Sequence, residues 1–198
     1  MAERRKVKKL KASASWVADV EKFRADFDEN DKDWMGTKAL KKKIEEHLRN
    51  NPDTGLTLNL FNEIVTWKLE RQEDRTRHTR GEKVTEDFVR LITTCAFALS
   101  HSDRKSLVRG RICVLHGIPG VDMGIASAIT ALRFPDQHGV IDPILWKVIY
   151  GEERSGFSLS EYQKYLEDLL SAASTLGWLA QEVDFFTWKM GLERKKKR

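Results

Sequence analysis

Cysteine is scarce in this chain of 198 residues, with Cys95 and Cys113 the two present, and neither belongs to a C-x-x-C pair. Two thiols cannot build a four-thiolate zinc or iron–sulfur centre, and they imply no disulfide framework. Both sit among apolar neighbours, so they are expected to be small core residues in a reducing cytoplasm. Proline is also scarce, with four, and the alternation of β-branched and polar residues that marks strands is missing. No apolar run approaches the roughly 20 residues needed to span a bilayer, which excludes a helical membrane protein. The opening stretch MAERRKVKKLKASAS has no apolar h-region, so a secretory leader is not expected. His101, His116 and His138 have no metal-ligand spacing.

What is present describes a folded protein. Hydrophobic residues make up 40% and charged residues 33%, a mix that argues against wholesale disorder. A domain of this length buries roughly 70% of its chain surface, enough for a substantial core. The net charge of +5 is unevenly placed. Residues 1–11 and 194–198 each carry +5, so the body between them carries −5. The basic ends can neutralise phosphates without reading sequence. The expected organisation is a basic tail over 1–14, a helical domain over 15–191 and a second basic tail over 192–198.

Helical spacing recurs along the body. Trp16, Val20, Phe23 and Phe27 form one stripe after a candidate cap at Ser15. Leu40, Ile44 and Leu48 form another, and Leu58, Phe61, Ile64 and Leu69 a third. Thr85 is placed to cap a helix whose apolar face reads Phe88, Leu91, Ile92 and Cys95. Ser158 with Glu161 makes a capping-box pattern, and Gly177 is a C-terminal stop. Leu179, Val183, Phe186 and Met190 read as the last core stripe, ending at Gly191. Residues 28–37 and 71–84 are the polar connections. The second is Arg-rich, with Arg71 a candidate DNA contact. The fold class expected is all-α.

The informative stretch is 112–150. A helix ending near Leu115 meets His116-Gly117-Ile118-Pro119-Gly120-Val121, a tight turn that suits glycine. A helix beginning near Asp122 or Met123 follows, with small residues Gly124, Ala126, Ser127 and Ala128. A glycine turn feeding a helix N-terminus offers N–H groups to a phosphate. Some twenty residues on stands Val140-Ile141-Asp142-Pro143-Ile144-Leu145-Trp146-Lys147. Pro143 suits the first helical position, which makes Asp142 the N-cap. Cap hydrogen bonds and the helix dipole both favour its anion.

Hairpin, small-residue helix, apolar-pair aspartate and following helix resemble, in order and spacing, the helix-hairpin-helix DNA glycosylase superfamily. The resemblance is strong over 112–150, with the hairpin at about 104–133, and weaker over 56–190. It implies a two-lobed helical fold and a flipped base in the cleft between lobes. It also implies hydrolysis of the N-glycosidic bond by Asp142, leaving an abasic site. Leu60 to Lys68 resembles the helix that opens the glycosylase core, where Glu63 stands at the position of a base-protonating acid. Trp67, Lys68 and Trp146 are then candidates for the base pocket. Gly117, Gly120, Met123, Gly124 and Lys147 join Arg71 as candidates for DNA contact.

Three departures shape the expectation. Asp122 replaces a hairpin glycine and puts an acid where a phosphate is expected. Gly124 occupies the position of the Schiff-base lysine of bifunctional members, which implies a monofunctional enzyme. The cysteines of iron–sulfur members are missing. No cofactor is expected beyond a structural monovalent cation at the hairpin, which the resemblance implies. The partner expected is double-stranded DNA, with no membrane, for a cytoplasmic monomer. The role is repair, or removal of modified bases from phage DNA. Two other classes stay open, a non-catalytic helix-hairpin-helix DNA-binding module with Asp142 only a cap, and a helical protein–protein adaptor.

Overall fold

The computed structural model describes residues 11–69 and 84–196. Among them there are α-helices and no strands: α1 (Trp16–Ala25), α2 (Lys32–Asn50), α3 (Leu58–Leu69), α4 (Glu86–Ala98), α5 (Arg104–Leu115), α6 (Met123–Arg133), α7 (Pro143–Tyr150), α8 (Leu159–Leu176) and α9 (Ala180–Lys196). The all-α expectation holds. No helix among the described residues is long and apolar enough to cross a membrane. Arg71 and the rest of the Arg-rich connection lie outside the described residues, as do residues 1–10.

The centre is α6. Every residue from Ile125 to Leu132 is buried, the pattern of a helix surrounded on all sides. Its alanines let α2, α3 and α5 approach closely. The second group packs on α9, which touches α1, α7 and α8. Trp16 is pinned to α9 by a bond from its indole Nε1 to Thr187 Oγ1 at 3.0 Å.

Most helix ends follow from local chemistry. Thr85, Asp103, Asp122, Asp142 and Ser158 each accept a backbone N–H in the first turn of the helix they precede. The Ser158–Glu161 capping box forms in full, and Gly177 closes α8 at φ 69°. Ser15 is an exception, since its side chain makes no cap bond. The acidic connection 28–37 is largely helix, because Asp31 accepts from Asp33 N at 2.9 Å and Trp34 N at 3.1 Å and so opens α2.

Three readings of burial are corrected. On α4 the buried residues are Val89, Thr93 and Ala96, while Phe88 and Leu91 are exposed. Thr93 is the reason. Its hydroxyl accepts the N–H of Leu56 at 2.8 Å and donates to Val89 O at 2.7 Å, which draws the small-residue face inward. Cys95 then lies on the outer side and is exposed, as is Cys113, so neither is a core residue. Gly191 does not end the ordered body. A Cβ there would stand 2.6 Å from Ile144 Cγ2 and 2.8 Å from Val148 Cγ2, so the glycine lets α9 lie against α7 and run on to Lys196. Residues 192–196 are therefore helix rather than tail.

Two glycines offer a paired test of this packing. A Cβ on Gly55 would collide with Thr93 Oγ1 and the backbone of Arg90 and Thr94, whereas Gly36 has nothing within 4 Å. Gly55→Ala should lose about 2–3 kcal/mol in urea denaturation. Gly36→Ala, inside a helix, should gain up to about 1 kcal/mol.

Candidate functional site

Asp142 owes its position to the segment before it. Residues 139–141 are extended without a neighbouring strand, so their polar groups need side-chain partners. Val140 N donates to Asp184 Oδ2 at 3.1 Å and Ile141 N to Ser127 Oγ at 3.1 Å. The carbonyl of Gly139 accepts from Tyr162 OH at 3.1 Å and that of Val140 from Tyr165 OH at 3.3 Å. A side chain at Gly139 would run into Leu169 and approach Tyr165 OH. Helices α6, α8 and α9 thus clamp the chain that delivers Asp142.

The aspartate itself is the N-cap of α7. Its Oδ1 accepts from Ile144 N at 2.8 Å, and Pro143 fills the first turn as expected. Its Oδ2 accepts from Lys68 Nζ at 2.9 Å, in an ion pair whose side chains are each 11% exposed. Lys68 reaches it across position 124, where a Cβ would stand 3.5 Å from Lys68 Cε. The absence of a side chain at Gly124 leaves room for that lysine.

Asp142 and Lys68 open onto a cavity of about 800 Å³ between α2, α3, α7 and α9. Trp67 lines it, with its indole Nε1 donating to Thr37 Oγ1 at 3.2 Å. So do Asp33 and Gly36 of α2, and Gln181, Asp184, Phe185 and Trp188 of α9. Asp33 is paired with Lys189 at 2.6 Å. Asp184 also accepts from Tyr165 OH at 2.7 Å. Burial pushes its carboxyl up to about 7, against the opposing pull of the Tyr165 and Val140 hydrogen bonds and the Lys68 charge.

The sequence candidates divide accordingly. Asp142, Trp67 and Lys68 come together at the cavity. Glu63 does not join them. Its carboxylate binds Lys43 Nζ at 2.8 Å and Asn59 Nδ2 at 3.0 Å, on the flank of α3 that faces the polar side of α2. Trp146 is also misassigned, since it is 1% exposed and packed against Tyr150 and Phe157 with ring centroids at 4.3 and 5.3 Å. Lys147 is tied to Glu153 at 2.6 Å on the outer side of α7.

At the hairpin, Gly120 takes φ 80°, which suits glycine alone. Gly117 N and Ile118 N bond back to Val114 O and Leu115 O, both within 3.1 Å, so these N–H groups serve the turn rather than a ligand. Three of its carbonyls, Val114, Leu115 and Ile118, accept N–H groups within the turn, and no metal enters the reading below. Met123 is buried and Gly124 faces Lys68, which places both inside rather than on a DNA-facing surface. Asp122 caps α6 by accepting Ile125 N at 3.0 Å, so its carboxylate turns back onto its own helix.

Sequence reasoning missed the contribution of α9. Gln181, Asp184, Phe185 and Trp188 recur at helical spacing and interrupt an otherwise apolar helix with an amide and a carboxylate. That interruption was the available signal. Comparison with protein-family models, with curated proteins and with solved structures finds no match for this chain.

The buried carboxyl of Asp184 makes stability depend on pH. In the unfolded chain it ionises near its ordinary value of 3.8, and in the fold near 7. The folded state therefore holds the extra proton, and stability falls as pH rises between these values. Urea denaturation should show wild type losing about 2–3 kcal/mol relative to Asp184→Asn between pH 5 and 8. Parallel pH profiles for the two proteins would refute the assignment.

Proposed function

We propose that the protein is a DNA glycosylase of the helix-hairpin-helix type, with its base-binding cleft between the α2–α3 and α7–α9 walls. The observation that carries the reading is the placement of the Asp142 carboxylate. It follows a glycine hairpin in the chain, caps α7 and opens onto a cavity large enough for a nucleobase. The turned-back carboxylate of Asp122 removes the objection that it repels a phosphate at the hairpin.

In this reading the duplex backbone lies against the hairpin, and the target nucleotide rotates into the cavity. The C1′–N bond breaks and the base leaves with the bonding electron pair, while positive charge develops on the sugar. Asp142, held as a carboxylate by Lys68 and Ile144 N–H, stabilises that charge. It accepts a proton from the water whose oxygen bonds to C1′, and the base takes up a proton from solvent. Trp67 supplies a face for the base to stack on. The product is an abasic site, formed in repair or in removal of modified bases from foreign DNA.

Lys68 supports a second route for the same bond. Once deprotonated, its amine at 2.9 Å from Asp142 is placed to attack C1′ in place of water. Borohydride separates the two routes, because it traps a covalent protein–DNA adduct only when the amine is the nucleophile.

Asp142→Asn keeps a good cap and should fold and bind duplex DNA, while base release falls by about 10²–10⁴-fold. The assay is alkali-labile strand breakage across a panel of modified and mispaired duplexes. Full activity in the variant would end the assignment. Salt-dependent binding without breakage of any duplex would favour a non-catalytic module.

A further inference from the structure

We infer that the cavity takes a nucleobase carrying a bulky, hydroxyl-rich substituent, an inference that rests on the glycosylase reading and names its substrate class. The first reason is size. At about 800 Å³ the cavity lies in the upper part of the range that encloses drug-sized ligands, and a bare purine or pyrimidine ring leaves much of it unfilled. Its α9 wall runs from Gln181 to Lys195, which at 1.5 Å per residue is a trough about 21 Å long. Asp142 and Lys68 stand at one wall of that trough, so a base attached to a sugar beside Asp142 projects its substituent along the rest.

The second reason is the chemistry of the lining. Gln181 is 6% exposed, and its Nε2 has no acceptor among the described residues. An unmet buried donor is costly unless a ligand oxygen meets it. Asp33 and Asp184 also line the trough, each with lone pairs left beyond the partners already named. Trp67 and Trp188 add indole surfaces. Acceptors for hydroxyl groups, one donor for a hydroxyl oxygen and flat apolar faces for C–H groups together match a sugar-like substituent better than an unadorned base. Gly36, with open space where a side chain would stand, leaves the α2 wall of the trough unobstructed.

The test uses the full chain and three duplexes carrying a single glucosylated 5-hydroxymethylcytosine, 5-hydroxymethylcytosine or uracil. Base release should be at least tenfold faster, as kcat/KM, from the glucosylated duplex than from the other two. Gly36→Phe, which fills the trough, and Gln181→Leu, which removes the donor, should each lower that ratio at least tenfold. Thermal melts confirm that the variants fold, and either variant alone suffices. Release of the smaller bases at an equal or greater rate overturns the inference and leaves the glycosylase reading intact, as does a ratio unmoved by both variants. If no duplex loses its base, fluorescence anisotropy decides. Tenfold tighter binding of the glucosylated duplex, abolished by Gly36→Phe, upholds the ligand class and removes the catalysis. Equal binding of all three removes both.

Discussion

The hydrogen bond from Val140 N to the buried carboxylate of Asp184 is the contact on which the site depends. An extended segment in an all-helical protein has no ladder to satisfy its backbone, and side chains must do so instead. Asp184 carries that role from α9, Ser127 from α6, and Tyr162 and Tyr165 from α8. The consequence of using a carboxylate is visible in its proton affinity, pushed up to about 7 by burial. A neutral acceptor would avoid that penalty, but an aspartate offers two oxygens, and both are used, one for Val140 and one for Tyr165. Three helices are thereby fixed to one another at the point where the chain turns into Asp142. A functional carboxylate held within a fraction of an ångström needs such support from its surroundings.

What the sequence made legible was local. Caps at Thr85, Asp103, Asp142 and Ser158, the stop at Gly177 and the glycine turn at 117–120 all follow from interactions spanning a few residues. The faces of helices were less legible where a polar residue outcompeted apolar bulk. On α4, the partner of Thr93 is Leu56 N, 37 residues away, and that pairing turns Phe88 and Leu91 outward. Cys95 goes outward with them. Likewise the ion pair of Glu63 with Lys43 is invisible in either helix alone. Gly191 reads as a stop by composition, yet it is a contact residue, because α7 lies where its side chain would be.

The pair formed by Lys68 and Asp142 joins two parts of the sequence 74 residues apart, and no spacing rule connects them. Its feasibility depends on position 124, where any side chain would press on the lysine stem. A single glycine thus accounts for two facts that the sequence presents separately. The position carries no amine of its own, and an amine from α3 reaches over it. With both side chains 11% exposed, the charges are screened only weakly by solvent, and each holds the other in place. A sugar developing positive charge beside Asp142 competes with the Lys68 ammonium for the same carboxylate. Substrate chemistry at this site therefore involves moving the ammonium aside or deprotonating it, and the choice between water and amine as nucleophile turns on which occurs.

The walls around that pair constrain what enters. Gly191 lets α9 press on Ile144 and Val148 of α7, and Trp67 is fixed to Thr37 of α2 by its indole N–H. Lys189 ties α9 to Asp31 and Asp33 at the start of α2, each at 2.6 Å. Three sides of the trough are thus cross-braced by direct contacts between α2, α3, α7 and α9. Selectivity in such a site follows from shape and from unmet polar groups, since a ligand that leaves Gln181 unpaired forfeits the very contact that its burial makes valuable. A pre-formed trough with a braced carboxylate at one wall discriminates by what can fill the remaining length, whichever nucleophile completes the reaction.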